Sequence, residues 1–370
     1  MSNLRIGSLW RMALVLLAAA LVVAACGSDE SESSEESGDS ETAQGSDDLL
    51  KVRLVINGNL GDKSFFDGAQ NGMEMAESEL GVEIDTIELG PDPASWEPGL
   101  IDAAADEDSY DIIVTSTFNM AEPLQKVAPD HPDKNFIIFD VVVDYDACDC
   151  SNVHSITYKA NEGAYLGGVY AALMTKLTDI EGINDEATVG FVGGIDIPVV
   201  ADFAVGFAQG ANDNGVEVLE QYAGDFGDPA RGKEISLALY SQGADIIFHA
   251  AAGTGQGVFE AAAEQGAWSM GVDSDQAAIL AESAEAEAST ILTSVLKNVD
   301  VSIFRAVDLH MKGELDYGGS EALTLADGGV GIVRSGLFAE ITPPEVIAAV
   351  DEAKAAIIAG DIVVDSALGG

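Results

Sequence analysis

Basic residues are few in this sequence, and their shortage excludes a large class of partners. Lys and Arg number 16 against 64 Asp and Glu, so the formal net charge is −48. We do not expect nucleic acid as a partner, because such a field repels a phosphate backbone. Salt screens the self-repulsion of so acidic a chain, and the composition therefore favours a saline or haloalkaline habitat.

Cysteine and histidine are also scarce, which limits metal and catalytic sites. The chain has three Cys and four His, and only His249 stands beside a candidate site loop. Cys148 and Cys150 form a C-x-C pair, which is compatible with a local disulfide or with two thiols and is too small to hold zinc alone. The sequence has no G-x-S-x-G elbow, H-E-x-x-H helix or P-loop. We therefore expect no metal, no cofactor and no enzymatic activity.

The N-terminal apolar run is too short to span a bilayer comfortably. It covers residues 12–23, follows two arginines and ends in small residues before Cys26. This is the pattern of a signal peptide over residues 1–25. The segment LVVAAC, which ends at Cys26, resembles a bacterial lipobox and implies lipid on the Cys26 thiol. Lipid would hold the protein at the extracytoplasmic face of the cell membrane, and a secreted protein without it is the alternative.

Residues 26–50 are rich in Ser, Glu, Asp and Gly and poor in apolar residues. Such a segment cannot bury enough apolar surface to fold, so we expect a disordered acidic tether. Its expected function is to let the folded part of the chain extend away from the lipid anchor.

From residue 51 onward, short apolar runs alternate with amphipathic segments. This alternation is typical of parallel, doubly wound α/β sheets. The series restarts near residue 188, which predicts two lobes with a cleft between them. The runs predicted as strands are residues 52–56, 83–88, 111–116, 135–143, 151–156, 188–192, 216–222, 244–250 and 268–272.

The loop after the first predicted strand is the first candidate binding site. Ligands of open parallel sheets bind outside the carboxyl ends of the strands. The polar and aromatic residues at this position are Asp62, Ser64, Phe65 and Phe66. Adjacent aromatics beside an acid and a hydroxyl suit a flat, polar, uncharged ligand. The alternative is structural, with one Phe in the core and Asp62 or Ser64 capping the next helix.

Two loops of the second series are further candidates. Residues 253–257 read GTGQG, and the amides of such a turn suit a phosphate or a neutral hydroxyl. Asp273 and Asp275 follow the next predicted strand. Paired acids suit general acid and base chemistry, calcium, or acceptance of hydrogen bonds from a diol.

Several segments together resemble one known family. Over residues 52–364 the chain resembles the basic membrane protein family of substrate-binding lipoproteins and is similar to the purine nucleoside receptor lipoproteins of ABC importers. The segments that carry the resemblance are GDKSF at residues 61–65, YLGG at 165–168, VGFVGGIDIPVV at 189–200, DPARGK at 228–233, GADIIF at 243–248, GTG at 253–255 and GVDSDQ at 271–276.

The resemblance implies a type I periplasmic-binding-protein fold, an α/β architecture of two doubly wound parallel-sheet lobes between which the chain crosses three times. We place the crossings near Tyr158, Leu292 and Gly319. The first lobe would then comprise residues 51–158 and 292–318, and the second lobe residues 159–291 and 319–370.

The resemblance also implies a nucleoside in the cleft. At matching positions, Phe65 would stack on the base and Asp140 would accept hydrogen bonds from the base edge. Asp273 and Lys297 would bind the ribose hydroxyls, which donate to a carboxylate and accept from an ammonium. Gly253 would offer its backbone. The alternatives are an exposed helical position for Lys297 and a role for Asp140 in holding its own loop.

One position departs from the family pattern. Asn often follows the motif Phe in the family, whereas this chain has Phe66 there. A ring cannot form the hydrogen bonds of an amide, so base recognition differs or the solute is not a purine.

The expected function is capture of a solute, with a purine nucleoside favoured, by closure of the two lobes and delivery to an ABC permease. We expect a monomer that is attached to the membrane through Cys26. The alternatives are a lipid-anchored nucleoside-processing enzyme that uses Asp273 and Asp275, and a receptor or sensor for a different small polar solute.

Overall fold

The computed structural model describes residues 49–106 and 110–368, and these form one α/β unit. Cys26, the signal peptide and most of the tether predicted from the sequence lie outside the described residues. The strands are β1 (Lys51–Ile56), β2 (Glu83–Glu88), β3 (Ile112–Ser116), β4 (Asn135–Phe139), β5 (Val153–Tyr158), β6 (Thr188–Gly193), β7 (Glu217–Tyr222), β8 (Ala244–Ala250), β9 (Trp268–Asp273), β10 (Ile291–Lys297), β11 (Gly319–Leu323) and β12 (Val330–Ile332).

Helices follow most of the strands. They are α1 (Phe65–Leu80), α2 (Pro93–Ala105), α3 (Phe118–Val127), α4 (Ala160–Met174), α5 (Pro198–Asp213), α6 (Pro229–Ser241), α7 (Gln256–Gln265), α8 (Gln276–Leu280), α9 (Glu285–Ala288), α10 (Val299–Lys312), α11 (Leu337–Ile341) and α12 (Pro344–Ala359). Among the described residues, no helix combines the length and the apolar composition needed to cross a bilayer.

Local sequence explains where several helices begin and end. α2 and α6 each start at an Asp-Pro pair, in which the Asp carboxylate accepts a hydrogen bond from a first-turn amide and proline supplies a helical φ. α1 ends at Gly81, which takes the left-handed conformation (φ 73°) that side chains with a Cβ disfavour.

Two six-stranded sheets organise the unit. The first has the order β11-β5-β4-β3-β1-β2 and is parallel throughout. The second has the order β12-β10-β9-β8-β6-β7, with β12 antiparallel at its edge. The sheets define a first lobe and a second lobe, and β3 and β8 are buried along their whole length, as expected of the inner strands of parallel sheets. The doubly wound α/β fold class expected from the sequence is confirmed.

Two of the three crossings lie elsewhere than the sequence analysis placed them. The first occurs between β5 and α4, near Tyr158. The second follows β10, because β10 pairs with β9 in the second sheet and the chain leaves that sheet only after Lys297. The third follows β11, which pairs with β5 in the first sheet. Residues 292–297 therefore belong to the second sheet, and residues 319–323 belong to the first.

The three crossings run side by side and are tied together by hydrogen bonds. The Lys159 amide donates to the Leu323 carbonyl at 2.8 Å. The Asn298 amide donates to the Gly329 carbonyl at 2.9 Å, and the Asn298 side chain donates to Gly328 at 2.7 Å. These bonds join each of the first two crossings to the third, which is the arrangement of a hinge between two rigid lobes.

One strand ends earlier than the sequence predicted, and the structure resolves the pairing of two cysteines that the sequence left open. β4 ends at Phe139 rather than residue 143, because Asp140 takes a left-handed conformation (φ 70°) that leaves the strand. Cys148 and Cys150, whose pairing the sequence left open, form a disulfide with their Cα atoms 5.3 Å apart.

Candidate functional site

The carboxyl ends of strands from both sheets place three charged side chains together between the lobes. Asp140 directly follows β4, while Asp273 and Lys297 are the last residues of β9 and β10. Asp140 and Asp273 both have positive φ, 70° and 62°. Such a backbone is unfavourable for a residue with a Cβ, and its occurrence at two carboxylates that face each other across the cleft fits a functional site.

Lys297 is the centre of this cluster. Its Nζ donates to Asp140 Oδ1 at 2.9 Å and lies 4.0 Å from Asp273 Oδ1, and its side chain is 6% exposed. Burial alone would lower the pKa of Lys297, but the two carboxylates outweigh it and raise the pKa above its ordinary value. Lys297 is therefore a buried ammonium that joins both lobes, and the exposed helical position considered for it is excluded.

Asp273 has one oxygen engaged and one oxygen without a donor. Oδ2 accepts a 2.5 Å hydrogen bond from the Ser64 hydroxyl of the first lobe. Oδ1 is buried and accepts no hydrogen bond from any of the described residues. Burial raises the pKa of the Asp273 carboxyl to about 6, although Lys297 and Ser64 act in the opposite direction. A buried acceptor of this kind is suited to a donor on a solute.

Aromatic rings surround the ammonium. Lys297 Nζ lies 4.8 Å from the centroid of the Phe65 ring, 5.3 Å from that of Phe203 and 5.8 Å from that of Tyr158. The Phe65 and Phe139 rings are 5.3 Å apart in a tilted arrangement. The site thus combines apolar ring faces with a few converging polar atoms, as pockets for small molecules usually do.

Asp62 and Phe66 have local partners in the structure. The Asp62 carboxylate accepts hydrogen bonds from the amides of Ser64, Phe66 and Asp67, so it caps α1. The Phe66 ring covers Gly58, where an added Cβ would lie 2.3 Å from the ring. These contacts favour the structural alternative for both residues.

Gly253 and Asp275 likewise contact this chain's own groups. A Cβ on Gly253 would lie 3.2 Å from the Phe226 carbonyl oxygen. The Asp275 carboxylate accepts from the Ala278 amide and caps α8. The structure therefore brings together Ser64, Phe65, Asp140, Asp273 and Lys297 of the residues singled out from the sequence.

Two further strand ends carry polar atoms that sequence reasoning missed. Asn57 directly follows β1. Its side chain donates to Thr117 Oγ1 at 2.9 Å, and its Oδ1 accepts no hydrogen bond within residues 49–106 and 110–368. Ser116 ends β3, and its buried Oγ also lacks a partner among the described residues. Their position after buried apolar strands was the signal that could have identified them.

Away from the crossings, three side-chain hydrogen bonds among the described residues join one lobe to the other. Two are the Ser64–Asp273 and Asp140–Lys297 contacts described above. The third is a hydrogen bond from Gln276 Nε2 to the Lys63 carbonyl at 3.0 Å. The lobes are therefore in contact at the site, and a solute must enter when they part.

Two α/β lobes, three parallel crossings and a polar cluster buried between them define the class of type I periplasmic-binding proteins. Residues 49–360 match the family described as "ABC transporter substrate-binding protein PnrA-like". The match covers most of the chain, and the chain belongs to this family, as its resemblance predicted.

Curated relatives agree with this assignment. The chain is 30% identical over 364 residues to the "CD4+ T-cell-stimulating antigen" of Listeria innocua, covering 94% of this chain and 95% of the relative. It is 32% identical over 275 residues to the "ABC transporter nucleoside-binding protein BmpA" of Lactococcus lactis, covering 71% and 73%. It is 31% identical over 294 residues to "Basic membrane protein A" of Borreliella burgdorferi, covering 78% and 80%.

Solved structures agree as well. A solute-binding protein of an ABC transporter system from Aeropyrum pernix superposes with a TM-score of 0.69 at 29% identity, covering 86% of this chain and 93% of that one. The chain is an ABC transporter substrate-binding protein, and proteins of this kind bind solutes without catalysis. The expectation of no enzymatic activity is confirmed by this family assignment.

Proposed function

We propose that the protein captures a nucleoside between its lobes and delivers it to an ABC permease. The observation that carries the proposal is the Asp140–Lys297–Asp273 cluster beside Phe65, in which the buried Asp273 Oδ1 accepts no hydrogen bond from the part of the chain that the structure describes. Vicinal ribose hydroxyls can donate to Asp273 and accept from Lys297, while the Phe65 ring offers a surface for the base. The name of the Lactococcus relative, a nucleoside-binding protein, supports the same solute class.

The cellular setting is part of the same proposal. Lipid on Cys26 would hold the protein at the extracytoplasmic face of the membrane, and residues 26–50 would let it reach the permease. Purines are the favoured bases, and Phe66 in place of a side-chain amide is the reason to test pyrimidines too. We propose that the protein works as a monomer, since one chain supplies both lobes.

Calorimetric titration in high salt tests the solute class. We expect tight binding of at least one of inosine, guanosine, adenosine, cytidine and uridine, and weak binding of ribose alone. Replacing Phe65 with Ala should weaken nucleoside binding about 5- to 150-fold, because one stacked ring contributes about 1–3 kcal/mol. Phe304→Ala is the matched control, because Phe304 is a half-buried ring on α10. No binding across the panel, or equal affinity in the Phe65 variant, would contradict the proposal.

The affinity should also depend on pH through Asp273. Its pKa of about 6 means that the carboxylate becomes protonated as the pH falls below 6. If only the ionised form binds, affinity should be about tenfold lower at pH 5 than at pH 8. Asp273→Asn should bind more weakly at pH 8 and lose this dependence. Asp245→Asn is the control, because burial also raises the pKa of Asp245 to about 6, and its carboxylate binds Thr175 and Asn184 within the second lobe.

A further inference from the structure

We propose that Gln276 is a positioning residue that holds the two lobes together and that His249 sets its orientation. Gln276 opens α8 in the second lobe and is fully buried. Its Nε2 donates across the cleft to the Lys63 carbonyl at 3.0 Å. The consequence for solute retention rests on the proposed function, whereas the contact between the lobes can be tested without a solute.

The Gln276 amide can have only one orientation. Its Oε1 accepts a 2.8 Å hydrogen bond from the Val272 backbone amide, which can only donate. Its Nε2 faces the Lys63 carbonyl, which can only accept. A flipped amide would therefore place an oxygen against an oxygen and an NH₂ against an N–H. The donor that reaches the first lobe is fixed by the backbone of the second lobe.

The same Oε1 determines the tautomer of His249. His249 Nε2 lies 3.0 Å from Gln276 Oε1, so Nε2 must carry the hydrogen and donate it. Burial lowers the pKa of the His249 imidazole to about 4, which keeps the ring neutral at physiological pH. His249 is thus a second donor that restrains the Gln276 side chain, and a neutral donor suits a buried position.

The glycine-rich turn makes room for this imidazole. A Cβ on Gly255 would lie 2.1 Å from His249 Cε1, a distance that no side chain tolerates. The imidazole also packs edge-on against the Phe259 ring, with the centroids 5.0 Å apart. Gly255 in the GTGQG segment therefore has a packing role, which the phosphate interpretation of that segment did not anticipate.

The acceptor in the first lobe is also held in place. Lys63 has a left-handed backbone (φ 58°), and its amide donates to the Asp67 carboxylate at 2.9 Å. The next amide, that of Ser64, donates to Asp62 at 3.0 Å. These two carboxylates fix the peptide that presents the Lys63 carbonyl, which gives Asp62 a defined role at the cleft without solute contact.

Disulfide trapping measures how often the lobes meet. A Cβ on Gly68 of α1 would lie 3.6 Å from Ser274 Oγ in the second lobe, so Gly68→Cys with Ser274→Cys places two thiols within bonding reach. Their rate of cross-linking under a mild oxidant reports closure without any solute. Gln276→Glu keeps an acceptor for Val272 and His249 and replaces the donor facing Lys63 with an oxygen. We expect it to slow cross-linking about tenfold, the effect of losing one buried hydrogen bond.

Three comparisons make the test decisive. His249→Gln, whose side chain can donate from a similar position, should cross-link within about twofold of the parent, while His249→Leu should behave like Gln276→Glu. Gln242→Glu is the matched control, because Gln242 is exposed and should leave the rate unchanged. Equal rates in the parent and Gln276→Glu would overturn the proposal. A parent protein that does not cross-link would also overturn it, because the contact would then not form in solution.

Inosine serves as a separate probe of the consequence. In the protein without added cysteines, Gln276→Glu should raise the dissociation rate of inosine about tenfold and leave the association rate within about twofold, because closure retains the solute after encounter. If neither inosine nor any other nucleoside of the calorimetric panel binds to the parent, the nucleoside proposal fails while the cross-linking result stands. If inosine binds and its dissociation rate is unchanged, the role of Gln276 in retention is refuted and the nucleoside proposal stands.

Discussion

Lys297→Met is expected to lower the free energy of unfolding by about 3–5 kcal/mol and to abolish solute binding, because it leaves the buried Asp273 and the partly buried Asp140 without their counter-charge. Lys297 Nζ lies 2.9 Å from Asp140 Oδ1 and 4.0 Å from Asp273 Oδ1. Methionine preserves most of the side-chain volume, so the loss reflects charge more than packing. Urea unfolding at constant high salt and pH 8 measures it, since a salt denaturant would change the screening of the acidic chain.

The pH dependence of this loss separates charge from shape. Lys297 lowers the pKa of the Asp273 carboxyl, so protonation of Asp273 becomes easier without it, and a protonated carboxyl is less costly to bury. The destabilisation should therefore shrink as the pH is lowered from 8 to 5. A loss that is equal at both pH values would show that packing, and not the buried charge, is what methionine disturbs.

Two other variants test whether the loss of stability comes from the charge of Lys297. Asp140→Asn combined with Lys297→Met removes one charge of each sign and should cost less than Lys297→Met alone. Lys126→Met is the exposed control, because Lys126 forms ion pairs with Glu97 and Glu122 while half exposed. Such surface pairs contribute about 0–1 kcal/mol. If Lys297→Met changed stability no more than Lys126→Met, the cluster would not be the electrostatic centre of the cleft.

The sequence predicted the strands of the two sheets better than the crossings between the lobes. Strands are encoded by local sequence patterns, whereas the crossings depend on contacts between residues far apart in the sequence. Each of the strands β1 to β9 overlaps a run that was predicted from the sequence, and all of them except β4 are followed by a helix. A crossing is different, because it depends on which sheet a strand joins. β10 joins the second sheet by pairing with β9 and β12, and β11 joins the first by pairing with β5. No local pattern in residues 291–297 or 319–323 encodes those partners.

The site shows the same division between local and long-range information. Family motifs pointed to Asp140, Asp273 and Lys297, and the structure brings their charged groups together, while their contact with a solute stays a prediction. The sequence could not show that the Asp62 carboxylate accepts hydrogen bonds from three nearby backbone amides. Nor could it show that Gln276 reaches the first lobe, because that bond depends on how the lobes meet.

The contact between α4 and α5 carries the second large expected effect. Glycines from both helices allow the backbones to touch. A Cβ on Gly168 would lie 2.1 Å from the Phe207 carbonyl oxygen, and one on Gly210 would lie 2.2 Å from that of Tyr165. Both obstacles are backbone atoms in helices, so neither can rotate away as a side chain could. This packing also positions Phe203, whose ring lies beside Lys297, because Phe203 belongs to α5.

Gly168→Ala should therefore lower the free energy of unfolding by about 3 kcal/mol, the upper part of the usual cost of overpacking. The helix propensity of alanine, about 1 kcal/mol better than that of glycine, would offset only part of this cost. Gly68→Ala is the matched control, because Gly68 is also a glycine inside a helix, α1. A Cβ on Gly68 would lie 3.6 Å from Ser274 Oγ, which is an ordinary van der Waals distance. We expect that control to be neutral or slightly stabilising in the same urea titration. Equal stability of the two variants would mean that α4 and α5 can separate at little cost, and that their close approach does not fix the position of Phe203.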